Sequence, residues 1–280
     1  MQPWAVLVRD DHGVLRSFIV LAGTDGNQVR IVGTDQGNRG AIAADSAAAA
    51  EALAEGVHRS LRSRPPGETV VLGPVNAHHP HTQMFAAALP GSTLLEDDPI
   101  PLIRNEGLAL TEYLSNGMRR QLRKAHNRLE TDGLDWNVTV TTDPDEIRSQ
   151  LPVLERCHRE RDHAHGRASA LDDEQGLQLW RARIEALSRA GDLELATLSI
   201  SDEFAAHTLS IFDNNVYRVL EGRFISKWAR YSPGRLLEAH IVERVLNEES
   251  VAIVDWMTAT ATEKLLATND SDPMVYVHVR

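Results

Sequence analysis

The chain has 280 residues, of which 42% are hydrophobic and 25% charged, and its formal net charge is −11 at pH 7. This composition is typical of a globular protein with enough apolar side chains for a core, and it argues against general nucleic-acid binding through overall charge. With only Cys157, no secretory signal and no run of roughly 20 apolar residues, we expect a cytoplasmic protein with no membrane partner and no internal disulfide.

Residues 1–108 predict a small unit of strands and helices. Two β-rich runs, Trp4–Arg9 and Val14–Val20, are separated by Asp11-His12-Gly13 and predict a hairpin. Asp45-Ser46 predicts the start of a helix that ends near Ser63. The other predicted elements are strands Val29–Gly33, Thr69–Leu72, Ser92–Leu95 and Ile100–Ile103, the last two joined by an acidic turn, and a helix over His81–Leu89.

Residues 109–280 predict a larger unit. Three β-runs joined by short turns predict an antiparallel meander. They are Leu193–Ile200, Phe204–Phe212 and Val216–Gly222. The predicted elements before the meander are a helix over Thr111–Thr131 that stops at Gly133, a strand over Trp136–Thr141, a helix to about Asp162 and a helix from Asp172 to about Gly191. The predicted elements after the meander are a helix from about Arg235 to Glu249, a strand over Val251–Trp256, a short helix over Thr262–Ala267 and a strand over Met274–Val279.

The passage from the third meander strand into the following helix has the features of an anion site. The first backbone N–H groups of a helix are unpaired and the positive end of its dipole lies there, which favours a pyrophosphate. Gly234 allows close backbone approach, Pro233 pre-sets φ, and Arg235 adds a positive charge in the first turn. An ordinary Ser-Pro helix start has the same spacing, so the spacing alone leaves both interpretations open.

Two segments resemble the CelD-like branch of the GNAT superfamily of acyltransferases. Residues 228–237, WARYSPGRLL, are similar to its cofactor motif, and residues 113–125, YLSNGMRRQLRKA, with Arg128-Leu129-Glu130 and Gly133, are similar to the basic helix before its catalytic half. The resemblance covers most of residues 110–265 and extends weakly into 1–105. It implies an α/β fold of tandem GNAT-like halves with mixed, mostly antiparallel sheets flanked by helices. Residues 1–108 would form a truncated first half, and 109–280 the acyltransferase half.

The resemblance also implies the donor and its site. Acyl-CoA, in its simplest form acetyl-CoA, would be the co-substrate. The acceptor would be an amine of a small molecule or peptide, and the enzyme would be a monomer or a homodimer. Lys264 matches a lysine of the branch, but the glycine and tyrosine that usually accompany it are missing from Thr258–Lys264. The residues implied to hold the cofactor are Ser232, Pro233, Gly234, Arg235, Leu236 and Lys264.

The same architecture leaves two other functions open. Fem-type transferases share it and use aminoacyl-tRNA as donor, so tRNA is an alternative partner. A non-catalytic GNAT-like binding protein is a further alternative, favoured by the altered segment Thr258–Lys264.

Amine acylation needs a base for the amine proton and a proton donor for the leaving thiolate. Glu221 and Asp255 fall at strand ends that should flank the cleft. Each is interpreted as a base, or instead as a solvated strand-end acid or a partner for Arg223 or Arg230. His207 is a candidate base or a core histidine, and Tyr231 and Tyr217 are candidate proton donors.

Other polar clusters have more than one interpretation. His163, His165 and Arg167 fall in a loop that a GNAT fold places on the acceptor side. Arg120, Lys124 and Arg128 share one helix face, which predicts pairing with acids, a grip on the cofactor 3′-phosphate or a grip on a tRNA backbone. The clustered histidines lack the cysteine or carboxylate support and the helical spacing typical of zinc sites, so we expect no metal.

Overall fold

The computed structural model describes residues 3–24, 27–34, 39–64, 68–164, 166–257 and 265–279. These residues form two compact units. The first holds the chain up to Pro101 and the C-terminal strand from Ser271, and the second begins at Leu102 and includes residues 265–270. The predicted halves, 1–108 and 109–280, stay a prediction, because compactness does not test what kind of half each one is.

The first unit is a mixed sheet with two helices. The sheet order is β1-β2-β3-β5-β12, in which β3 and β5 are parallel and the other neighbours are antiparallel. Buried residues of α1 such as Leu53 and Val57 pack in one core with Ile19 and Leu21 of β2. The elements are β1 (Trp4–Arg9), β2 (Leu15–Gly23), β3 (Gln28–Ile31), β4 (Ala43–Ala44), α1 (Ala47–Arg62), β5 (Thr69–Asn76), α2 (Pro80–Ala88), the first part of β6 (Ser92–Arg104) and most of β12 (Asp270–Val279).

Local signals predict this unit well, with one exception. The hairpin of β1 and β2 is confirmed, and the Ser46 side chain accepts a hydrogen bond from the Ala49 N–H at 3.2 Å, which confirms the predicted cap of α1. The predicted turn between Ser92–Leu95 and Ile100–Ile103 is wrong, because β6 runs through it as one strand. No Gly or Asn in Glu96–Pro99 supplies the positive φ of a tight hairpin turn, and Glu96 and Asp98 stay exposed on the extended strand.

The second unit carries the meander. The sheet order is β6-β11-β10-β9-β8-β7, in which only the β10–β11 neighbours are parallel. The antiparallel meander is therefore confirmed. The elements are the end of β6, α3 (Leu110–Tyr113), α4 (Asn116–Thr131), β7 (Trp136–Thr141), α5 (Pro144–Ala164), α6 (Glu174–Ala190), β8 (Leu193–Ile200), β9 (Glu203–Asp213), β10 (Val216–Phe224), α7 (Pro233–Leu246) and β11 (Ile253–Asp255).

The predicted helix over Thr111–Thr131 is broken. Leu114 and Ser115 are extended, and the Ser115 hydroxyl caps α4 by accepting the Met118 N–H at 3.1 Å. The predicted stop at Gly133 is confirmed by its φ of +64°. The predicted short helix Thr262–Ala267 lies largely outside the described residues.

The helices of this unit cover both faces of its sheet. Leu122 of α4 packs with Leu237 of α7 on one face. On the other, Leu154 of α5 packs with Trp180 of α6. Strand β10 therefore presents its alternate side chains to two different helical layers.

Candidate active site

The start of α7 is an uncapped helix end. A 3₁₀ helix over Ser226–Tyr231 leads into Ser232, which adopts a left-handed conformation (φ 52°, ψ 47°) and makes no side-chain cap. Its carbonyl accepts the N–H groups of Arg235 and Leu236 at 3.0 and 3.1 Å. The Gly234 N–H has no hydrogen-bond partner among the described residues. This amide is the group that an anion would satisfy, whereas the anion site itself stays a prediction.

The side chains beside this turn leave it open for an anion. A Cβ added at Gly234 would lie 3.4 Å from Cδ1 of Phe224 and meet no backbone atom within 4 Å. Pro233 occupies the first helical position. Arg235 forms an ion pair with Glu238 one turn along α7, and Leu236 is buried in the core, so its backbone alone can face a ligand.

Strands β10 and β11 part close to this helix end. Their parallel pairing covers only three positions, the last joining Arg218 and Asp255, and β10 then continues to Phe224. A bulge between Val219 and Glu221 adds Leu220 to β10 relative to β9. Beyond Arg218, no described strand pairs with this edge of β10.

Glu221 is the centre of a buried polar cluster between β10, β9, α5 and α6. Its Oε2 accepts the Trp180 indole N–H at 3.1 Å and lies 3.7 Å from Nε2 of His158. Its Oε1 lies 3.4 Å from Nε2 of His207, whose Nδ1 is buried and has no partner among the described residues. The Arg223 guanidinium completes the cluster, 3.3 Å from His158 Nε2.

The surroundings of Glu221 keep it ionised. Burial acts to raise the pKa of its carboxyl, but the hydrogen bond and charge of His207, with the charges of Arg223 and His158, lower it to about 2. Burial in turn lowers the pKa of His158, which favours a neutral imidazole at pH 7. Glu221 is therefore a strong hydrogen-bond acceptor and a weak proton acceptor, whereas a neutral imidazole can take a proton.

Asp255 lies where the two strands part. It is fully buried, and its Oδ2 accepts a hydrogen bond from Nη1 of Arg218 at 2.6 Å. Arg218 also contacts Asp213 at 2.8 Å. Its partner is therefore Arg218 and not the predicted Arg223 or Arg230, and it is not a solvated acid, while its role as a base stays a prediction.

Both predicted tyrosine donors already donate to carboxylates. The Tyr231 hydroxyl donates to Oδ2 of Asp132 at 2.6 Å, and this hydrogen bond raises its pKa. The Tyr217 hydroxyl donates to Oε1 of Glu194 at 2.6 Å, and burial foremost raises its pKa. Each phenol is therefore protonated at neutral pH but engaged within the protein.

The predicted acceptor-side residues lie at the end of α5. Nε2 of His163 lies 2.7 Å from Oδ2 of Asp172, and Arg167 lies 3.7 Å from Asp162. His165 lies outside the described residues, as does Lys264. A groove of about 600 Å³ adjoins this region and is lined by Arg156, Arg159, Glu160, His163, Ala164 and Ser226.

The basic face of α4 lines a second groove, which begins at the other end of the 3₁₀ helix. Its volume is about 530 Å³, and its lining residues are Arg120, Arg123, Lys124, Asn127, Arg128, Thr131, Asp132 and Arg230. Arg128 donates to the Arg230 carbonyl at 2.5 Å, which ties α4 to the turn before α7.

Two kinds of feature are missing from the described residues. They contain no group of three or more His, Cys, Asp or Glu side chains placed to hold a metal ion. They also contain no helix with the length and apolarity needed to cross a membrane.

Sequence reasoning missed part of the buried cluster. Trp180 carries no local sign of its contact with Glu221, since 41 positions separate the two residues. His158 is one of the clustered histidines of the sequence, and no local signal there predicts its position beside Glu221.

Comparison with known proteins gives a consistent picture. A family model described as an acetyltransferase (GNAT) domain matches residues 116–265. No curated protein sequence matches. FemX is similar with a TM-score of 0.60 and 11% identity, covering 99% of this chain and 88% of that one. L-PGS from Bacillus licheniformis is similar with a TM-score of 0.59 and 14% identity, covering 98% and 83%.

A tandem GNAT protein from the clavulanic acid biosynthesis pathway is also similar, with a TM-score of 0.50 and 17% identity, covering 99% of this chain and 82% of that one. At these identities the likeness shows the fold alone. It confirms the predicted α/β class with tandem GNAT-like organisation.

Proposed function

Because this chain belongs to the GNAT acetyltransferase family, we propose that it transfers an acyl group from acyl-CoA to an amine of a small molecule or peptide. The observation that carries this proposal is the uncapped start of α7 beside the parted strands β10 and β11. The unpaired Gly234 N–H and the positive end of the helix dipole suit the pyrophosphate of CoA. Ser232, Pro233, Arg235 and Leu236 would surround the bound pyrophosphate and fix the shape of that turn, with the Gly234 N–H as its backbone donor.

The proposed reaction is direct attack by the amine. The amine nitrogen forms a bond to the thioester carbonyl carbon, the carbon–sulfur bond breaks, and the sulfur leaves as a thiolate that takes up a proton. Backbone N–H groups at the free edge of β10, next to the bulge at Leu220, are placed to polarise the carbonyl oxygen.

The proton released by the amine would pass to the buried cluster. We assign Glu221 the role of a fixed anion that holds His207 and His158, because its low pKa makes it a poor proton acceptor. The imidazoles are then the acceptors, directly or through water. Asp255 would fix the position of Arg218 at the last paired position of β10 and β11. His163 and Arg167 would lie next to the bound acceptor.

Binding measurements on Gly234 variants test the donor. Gly234→Glu places a negative charge at the helix start, and Gly234→Gln adds almost the same volume without the charge. We expect CoA and acetyl-CoA to raise the melting temperature of the wild type and of Gly234→Gln, but not of Gly234→Glu. An unchanged wild type in saturating CoA, or equal stabilisation of both variants, would contradict the proposed cofactor turn.

Aminoacyl-tRNA is a second candidate donor. The observation that favours it is the positive face of α4 beside the turn before α7, where Arg120, Arg123 and Lys124 have no carboxylate partner among the described residues. Transfer activity that is abolished by RNase and does not require CoA would identify this donor, whereas RNase-resistant turnover of acetyl-CoA would exclude it.

A further inference from the structure

Helix α4 presents a dense positive face. Its 16 residues include five Arg or Lys side chains and one Glu. Arg120, Lys124 and Arg128 follow each other at intervals of four residues, so they form a row along one side of the helix, with Arg123 next to it. Together with Arg230 they line the groove of about 530 Å³.

The cations at the centre of this row are not neutralised. Arg120, Arg123 and Lys124 are exposed, and among the described residues none of them has a carboxylate within 4.0 Å. The predicted pairing of this face with acids is therefore wrong for these three. Like charges at this spacing repel one another, and a bound anion would relieve that repulsion.

Three other exposed arginines of the chain have the carboxylate partners that the centre of α4 lacks. Arg59 lies 3.8 Å from Glu55, Arg148 lies 2.6 Å from Asp145, and Arg189 lies 2.6 Å from Glu185. With a formal net charge of −11 the chain has abundant acids, yet the described ones leave the centre of α4 unpaired.

One end of the row is held in place. Arg128 is tied to the carbonyl of Arg230, and Arg230 pairs with Asp132 at 3.1 Å. Among the described residues that line the groove, Asp132 is the one acid and none is aromatic or aliphatic. Such a lining suits phosphate oxygens and offers no stacking surface for bases.

The spacing selects the kind of anion. Cations four residues apart on a helix are separated by about 6 Å along the axis, so the row has the regular repeat of a chain of phosphates. The single 3′-phosphate of CoA cannot occupy the whole row, and the guanidinium fork matches phosphate oxygens closely.

We propose that the α4 groove binds the phosphodiester backbone of a nucleic acid without reading its bases. The inference goes beyond the proposed function, since it holds whether the nucleic acid carries the donor, the acceptor or neither. The affinity is set by released counterions and therefore falls with salt.

Fluorescence anisotropy of two labelled hairpins, one RNA and one DNA of matching sequence, tests this inference. The test variant is Arg120→Gln/Arg123→Gln/Lys124→Gln. The matched control, Arg59→Gln/Arg148→Gln/Arg189→Gln, changes the net charge equally at exposed, paired positions. The binding of each protein to each hairpin is measured at several KCl concentrations between about 50 and 200 mM. The melting temperature of each variant verifies that it is folded.

We expect the test variant to bind at least ~10-fold more weakly at low salt and to lose roughly two to three units of the log K against log[salt] slope, while the control keeps the wild-type values. Binding of either hairpin supports the proposal, and the preferred hairpin identifies the nucleic acid. The proposal would be overturned if the wild type bound neither hairpin, or if both triple variants lost the same hairpin affinity. It would also be overturned if polyglutamate of equal charge displaced the hairpin.

The cofactor provides an independent comparison. If the test variant loses affinity for CoA but not for dephospho-CoA and binds hairpins like the wild type, the groove is a 3′-phosphate site and the proposal fails. The Gly234 variants report on the donor turn separately, so failure of either proposal is recognised without the other.

Discussion

Replacement of the buried carboxylate Glu221 by its amide gives the sharpest prediction. The change Glu221→Gln keeps the shape and the acceptor for the Trp180 N–H, but removes the negative charge that faces His207, His158 and Arg223. The fall of the Glu221 pKa from an ordinary 4.5 to about 2 corresponds to about 3 kcal/mol of stabilisation, at about 1.4 kcal/mol for each pKa unit.

The sign of the pH dependence follows from the direction of that change. Because the folded-state pKa lies below the unfolded one, the stabilisation is complete above pH 4.5 and is lost as the pH falls towards 2. The free energy of unfolding of Glu221→Gln should therefore lie about 3 kcal/mol below that of the wild type at pH 5, and the gap should narrow at pH 4 and 3.

Urea unfolding followed by circular dichroism at pH 7, 5, 4 and 3 measures both quantities. Glu185→Gln is the control, because Glu185 is exposed and its one ion-pair partner among the described residues is Arg189 one turn away, so we expect a change below about 0.5 kcal/mol at every pH. A gap for Glu221→Gln that stays constant from pH 7 to pH 3, or one no larger than the control, would refute the assignment of Glu221 as an anion held by the imidazoles.

Two further substitutions or modifications test neighbouring conclusions. Tyr231→Phe removes the hydrogen bond to Asp132, so we expect a lower melting temperature with turnover within about threefold of wild type; a loss of about 100-fold would instead identify Tyr231 as the proton donor to the thiolate. Burial raises the pKa of the Cys157 thiol to about 12, so thiol reagents at pH 8 should label it only after urea unfolding, and rapid labelling of the native protein would contradict its buried position.

The secondary structure that local chemistry decides was predictable from the sequence. Ser46 caps α1, Gly133 ends the segment after α4, and the short turns of the meander set antiparallel pairing. The start of α7 was predicted at Arg235 and lies at Pro233, because proline suits the first helical position. These features depend on residues a few positions apart, which a single sequence displays directly.

The misses have a different origin. β6 continues through Glu96–Pro99 as one strand whose neighbours in the sheet, β11 and β12, come from much later in the chain. Ser115 acts as a cap instead of a helix interior residue because Leu114 and Ser115 are extended. Likewise, Glu221 and Asp255 were singled out by strand-end position, but the groups that fix their chemistry come from elsewhere in the chain. Only tertiary structure brings Trp180 and His158 to Glu221.

The extra residue at position 220 affects how β10 should be aligned with the same strand of related chains. In an unbroken strand, Leu220 and Glu221 would point to opposite sides of the sheet. The bulge lets Leu220 pack with the α5–α6 layer while Glu221 reaches Trp180 in that same layer. In a relative that lacks the extra residue, the acid at the same place in space would stand one position earlier in the strand. An alignment of β10 without a gap would then match Glu221 to a residue on the opposite side of the sheet.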